Sequence, residues 1–131
     1  MTIAEIGGKC NLSTDTLRYY ERVGLIPPVK RTKGGIRDYS EEDYQWVEFV
    51  KCMRGAGIPV EMLVEYLELF QYGKDSREAR KKILKEQRDI LAERLAEIQQ
   101  TLDKLDFKLA NYDEFVYEAE KKLSKQVYDK E

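Results

Sequence analysis

Histidine is absent from the sequence. This removes the commonest general base and the commonest imidazole metal ligand together. Only two cysteines occur, Cys10 and Cys52, far apart and without the close spacing of a thiolate metal site. Both are expected to be free thiols of a reducing compartment. No apolar run approaches the roughly eighteen residues of a membrane span, so no membrane partner is expected. The start, MTIAEIGGK, lacks a basic segment followed by an apolar one, so no signal peptide is expected and cytoplasmic residence is the default. There is no nucleophile–base pair, phosphate loop or metal set, which argues against an enzyme and against a cofactor. With 37% charged residues, little is left for a large core. A small domain plus one long element fits that balance.

What is present is concentrated between Asn11 and Arg37. From Lys9 to Arg37 there are seven basic residues (Lys9, Arg18, Arg22, Lys30, Arg31, Lys33, Arg37) against two acids, Asp15 and Glu21, a local charge of +5. The whole chain is −2, so the remainder sums to −7. A basic segment with interleaved aromatics on an acidic protein is the electrostatic footprint of a surface that meets nucleic-acid phosphates.

Local signals place this segment on a helix-turn-helix. Thr2 and Glu5 form a capping box ahead of a short helix. Asn11 tolerates the left-handed conformation of a tight turn, and Ser13 caps a second helix that runs to about Arg22. Pro27 and Pro28 end it. Lys30 to Tyr39 reads as a short hairpin with Gly34-Gly35 at its tip, a wing. Ser40 with Asp43 caps a third helix, whose apolar positions are Tyr44, Val47, Phe49, Val50 and Met53. Gly55 and Gly57 interrupt it. Pro59 suits the first turn of a fourth helix carrying Met62, Leu63, Tyr66, Leu67 and Phe70, and Tyr72-Gly73-Lys74 is the linker.

From about Ser76 the period changes. Leu84, Leu91, Ile98, Leu105 and Tyr112 recur every seven residues, and Leu95, Leu102, Leu109 and Val116 form a second row offset by four. A heptad seam this long outlasts what the first 74 residues can cover, which favours pairing between two chains. Past Asn111 the pattern weakens, leaving open one continuous helix or a short second one capped by Asp113.

The ordered motif Ser13-x-x-Thr16-Leu17-Arg18-Tyr19-Tyr20-Glu21-x-x-Gly24-Leu25-Ile26 resembles the signature of the MerR family of bacterial transcription regulators. Gly35-Ile36-Arg37-Asp38-Tyr39 is similar to that family's wing. Glu42-Asp43 and Phe49-Val50-x-x-Met53-Arg54-x-x-Gly57 are similar to its third and fourth helices. Gly7 and Gly8, where the first helix generally carries larger residues, and Asn11 in place of the turn glycine depart from the pattern.

The resemblance implies a mainly α fold, with a winged helix-turn-helix DNA-binding domain over 1–74. A dimerisation helix and tail over 75–131 would follow, paired as an antiparallel coiled coil through Leu84, Leu91, Leu95, Ile98, Leu102, Leu105 and Leu109. It also implies a homodimer that distorts promoter DNA so that RNA polymerase can engage it, by readout of deformability rather than of bases alone. Thr14, Thr16, Arg18 and Tyr19 would start the recognition helix, with Arg18 at or near a base. Tyr20, Arg31, Arg37, Tyr39 and Arg54 would hold phosphates, one of the two adjacent tyrosines packing inside.

Metal-sensing members place cysteines where this chain has Arg77-Glu78-Ala79 and Asn111-Tyr112-Asp113, so soft-metal sensing is not expected. The length leaves no room for an appended drug-binding domain. The segment around Trp46 and Cys52 resembles the branch that responds to aldehydes and other electrophiles through a cysteine on this helix. Lys51 and Arg54 flank that thiol and would favour the thiolate, whereas Cys10 reads as structural. Two alternatives stand beside thiol sensing: a regulator switched by a non-covalent small ligand, and an architectural DNA-bending protein of the excisionase kind.

Overall fold

The computed structural model describes residues 1–128. Helix α1 (Ile3–Cys10) starts at the anticipated capping box, the Thr2 hydroxyl accepting from the Glu5 amide at 3.1 Å while the Glu5 carboxylate accepts from the Thr2 amide at 3.3 Å. It stops at Asn11, which takes up the left-handed conformation with φ 54°. The chain then folds back hard. The Leu12 amide donates to the Gly7 carbonyl at 3.0 Å, and a Cβ on Gly7 would lie 2.8 Å from the Leu12 carbonyl oxygen. Gly7 is therefore required by close approach, which outweighs the helix propensity it costs.

Helix α2 (Thr14–Val23) is capped by Ser13, whose hydroxyl accepts from the Thr16 amide at 3.1 Å, and ends at Gly24 with φ 84°. Helix α3 (Glu41–Gly55) begins with the Ser40/Asp43 capping box. Helix α4 (Val60–Tyr72) follows; Pro59 sits at its cap position rather than inside its first turn.

The wing is slighter than a hairpin ladder. Its arms meet at a single antiparallel bridge between Arg31 and Arg37, with backbone bonds Thr32 N–H to Ile36 O at 2.7 Å and Asp38 N–H to Lys30 O at 2.7 Å. Two short, charged arms with no third strand beside them give little reason for a longer ladder.

One core serves α1 to α4. Ile6, Leu17, Leu25, Ile26, Val47, Val50 and Leu63 are its aliphatic centre, joined by Cys10, Tyr20 and Tyr39. Each such aliphatic side chain removed from water contributes about 2 kcal/mol before the entropy of ordering is subtracted.

The linker after α4 is not slack. Gly73 turns with φ 120°, and a 3₁₀ turn (Lys74–Ser76) leads into α5 (Arg77–Ala110). The buried Ser76 hydroxyl is shared between the carbonyls of Leu69 and Gly73, the latter at 2.7 Å, and accepts from Arg80 Nε at 3.1 Å.

By its internal contacts the chain divides into Met1–Arg88 and Asp89–Glu131, so the opening turns of α5 belong with the first unit. Helix α5 runs 34 residues without a buried side chain. The second unit has a definite end structure. Helix α5 gives way at Asn111, whose side-chain amide donates to the Phe107 carbonyl at 2.9 Å, to a π-helical turn (Tyr112–Val116) and then α6 (Tyr117–Tyr128). The Tyr112 hydroxyl donates to Glu120 at 3.0 Å, and Lys108 pairs with the same carboxylate at 3.2 Å.

Candidate nucleic-acid interface

The residues expected to meet DNA divide into three groups. On α2, Arg18 is exposed and pairs with Asp15 at 3.0 Å, one turn earlier on the same face. An exposed pair of this kind holds its partners by less than about 1 kcal/mol, so Arg18 is available to a phosphate or base at little cost. Thr14 and Thr16 are half-buried at the helix start, Thr16 within 2.8 Å of the Ser13 hydroxyl. Tyr19 is 37% exposed, with the Arg22 guanidinium 5.5 Å above its ring.

The second group is the wing and its anchor. Arg31 is exposed and donates to the Gly35 carbonyl at 2.9 Å, bracing the loop tip. Arg37 is largely covered, its Nε donating to Glu21 at 2.7 Å. The other oxygen of Glu21 accepts from the Val29 amide at 2.8 Å. Burial pushes the Glu21 carboxyl up, but the Arg37 and Val29 hydrogen bonds and the charges of Arg37 and Arg31 outweigh it, leaving it below the usual carboxylate range. Glu21 therefore fastens the wing to α2. In the sequence Glu21 stands out as an acid inside a basic segment. Its place in the motif was visible, but its partner sixteen residues away was not.

The third group is two core tyrosines and Arg54. Tyr20 and Tyr39, expected at phosphates, are 6% and 1% exposed core residues. Burial raises both hydroxyls, opposed at Tyr20 by the charge of Arg54, which places Arg54 close to it. Tyr39 departs from the expectation, because its hydroxyl is buried and has no partner. Arg54 is exposed and donates to the Ile58 carbonyl at 2.7 Å, closing the end of α3.

The two thiols differ sharply. Cys52 is exposed, late in α3; Cys10 is buried. Burial first, then a hydrogen bond with Glu48 and its charge, push the Cys10 thiol up to about 11. Of the bases flanking Cys52, Lys51 donates to the Cys10 carbonyl and Arg54 to that of Ile58. A limiting amount of iodoacetamide at neutral pH is therefore expected to alkylate Cys52 alone, with Cys10 reacting only on denaturation; peptide mass spectrometry reads both. The raised Cys10 value also favours the fold fully below its ordinary 9.0 and is lost as pH climbs through about 11.

Among the described residues no cluster of three or more His, Cys, Asp or Glu is arranged to hold a metal ion, and no helix is long and apolar enough to cross a membrane.

The family model "MerR HTH family regulatory protein" matches residues 1–69, and "MerR, DNA binding" matches 44–107. The chain belongs to the MerR family. It is 57% identical over 93 residues to the HTH-type transcriptional regulator AdhR of Bacillus subtilis, covering 71% of this chain and 66% of that relative. A MerR family regulator from Listeria monocytogenes shares its fold with a TM-score of 0.86 at 42% identity, covering 100% and 99% of the two chains. HiNmlR, a MerR family regulator lacking the sensor domain and solved bound to promoter DNA, aligns with a TM-score of 0.77 at 31% identity, over 86% and 89%. This MerR-family chain is accordingly a DNA-binding transcription regulator and not an enzyme. Its mainly helical fold, with a DNA-binding half and a long helix, is the one its sequence motifs imply.

Proposed function

We propose that the protein works in the cytoplasm as a homodimer that grips and distorts a promoter for RNA polymerase, and that modification of Cys52 by an aldehyde or related electrophile switches it. The observation that carries the switch is the contrast between an exposed Cys52 and a buried Cys10 on one small domain. Addition to an aldehyde joins sulfur to the carbonyl carbon; the carbonyl electron pair passes to oxygen, which takes up the proton the thiol released. Helix α3 carries this thiol and also the core residues Val47 and Val50, so an adduct on one side of it bears on the packing of the whole DNA-binding half.

Phosphate contacts in this reading come from Arg18, Arg31, Arg37 and Arg54, with Thr14, Thr16 and Tyr19 at the start of the recognition helix. Dimerisation uses the exposed apolar row Leu84, Leu91, Leu95, Ile98, Leu102, Leu105 and Leu109. The same row argues against an architectural DNA-bending protein of the excisionase kind, which has no such helix to pair.

The test is transcription in vitro from the protein's own promoter, with and without formaldehyde or methylglyoxal. Wild type should respond and Cys52→Ser should not, while both bind the operator alike. A Cys52→Ser chain that still responds ends the thiol reading.

A further inference from the structure

A groove of about 680 Å³ opens between α3 and α4, within the size range of small-molecule sites. Its walls are aromatic. Trp46 meets Phe70 edge-on at 5.1 Å and Phe49 at 6.1 Å, and Tyr66 closes the set at 5.8 Å from Phe49. All four rings line the groove, and Phe70 remains 46% exposed. Its charged lining is of one sign: Glu42 and Asp43, with no lysine or arginine. Asp43 accepts from the Ser40 amide through one oxygen at 2.9 Å. Glu42 is exposed.

Ring faces carry negative potential, and two carboxylates add to it, so the groove is matched to positive charge on an apolar body. The chain supplies its own example. The Arg80 guanidinium stands 5.3 Å over the Phe70 ring at the margin of this cluster. An anion meets two like charges here, and a neutral aromatic forgoes the electrostatic part.

We propose that the α3–α4 groove binds an organic cation with an aromatic or branched-alkyl body, held by Trp46, Phe49, Tyr66 and Phe70 and selected by Glu42 and Asp43. Cys52 is not among the residues that line it.

Trp46 is the single tryptophan of the chain, so its fluorescence reports the groove directly. The full-length protein is titrated with phenyltrimethylammonium and, separately, with its neutral isostere tert-butylbenzene. The cation is expected to change Trp46 emission saturably and to bind on the order of tenfold more tightly than the isostere. Glu42→Gln, an exposed change that leaves the rings in place, should narrow that ratio, and Phe70→Ala should weaken both compounds. Equal binding of the two, or a Glu42→Gln chain with undiminished preference, overturns the charge selection. An emission that does not respond to millimolar cation overturns the site itself, and that is the result if another chain or segment covers the groove.

Discussion

A chain carrying Ile98→Asp and Leu102→Asp is expected to sediment as a monomer and to lose operator binding under conditions where wild type is dimeric and bound. Both side chains are roughly half exposed in the single chain, 59% and 48%, so the substitutions leave its own core untouched. Burying a carboxylate in an apolar seam costs on the order of 2–3 kcal/mol at each site, and a homodimer carries four of them, so the dimer dissociation constant rises by about 10⁶-fold or more. Operator binding falls with it. Two linked half-site readers gain from effective concentration, and a lone one does not. Circular dichroism should show retained helix, since α1 to α4 do not depend on these positions. A stable dimer in the double variant would mean that the heptad row is not the interface.

Glu21→Ala is expected to be the most damaging single change outside the aliphatic core. It leaves the Arg37 guanidinium and the Val29 amide, both partly buried, without their acceptor. The cost is about 2–3 kcal/mol, which lowers Tm by roughly 10 °C in a domain of this size. The sign with pH follows from the lowered carboxyl. Stability from Glu21 is present above its ordinary value of 4.5 and is lost as pH falls through the lower, folded one. Wild type should lose stability across that acid range more steeply than Glu21→Ala, which has already lost the contribution. Equal acid slopes in thermal melts would assign the anchoring elsewhere. Because the wing is released, affinity for operator DNA should drop as well, even though Glu21 is an acid that DNA would repel.

The helix boundaries were legible wherever a cap sits within three or four residues of its partner: Thr2 with Glu5, Ser13 with Thr16, Ser40 with Asp43. Asn11 was legible because only a few residue types accept φ 54°. The heptad row was legible because a period of seven needs no tertiary information. Glu21 was not, since its meaning depends on the wing folding back across sixteen residues. Tyr39 was misplaced for the same reason, a motif aromatic beside basic residues reading as surface until the core is seen to close over it. The ring cluster of Trp46, Phe49, Tyr66 and Phe70 joins two helices, and each helix alone shows only an ordinary apolar stripe.

The Ser76 stitch has a mechanical consequence. A hydroxyl tied to the last turn of α4, to Gly73 and to Arg80 in α5 turns the junction into an elbow without play. Torque applied to α4 reaches the first turn of α5 instead of dissipating in a swivel. That stiffness sets how little motion at α3 and α4 is lost before it reaches α5.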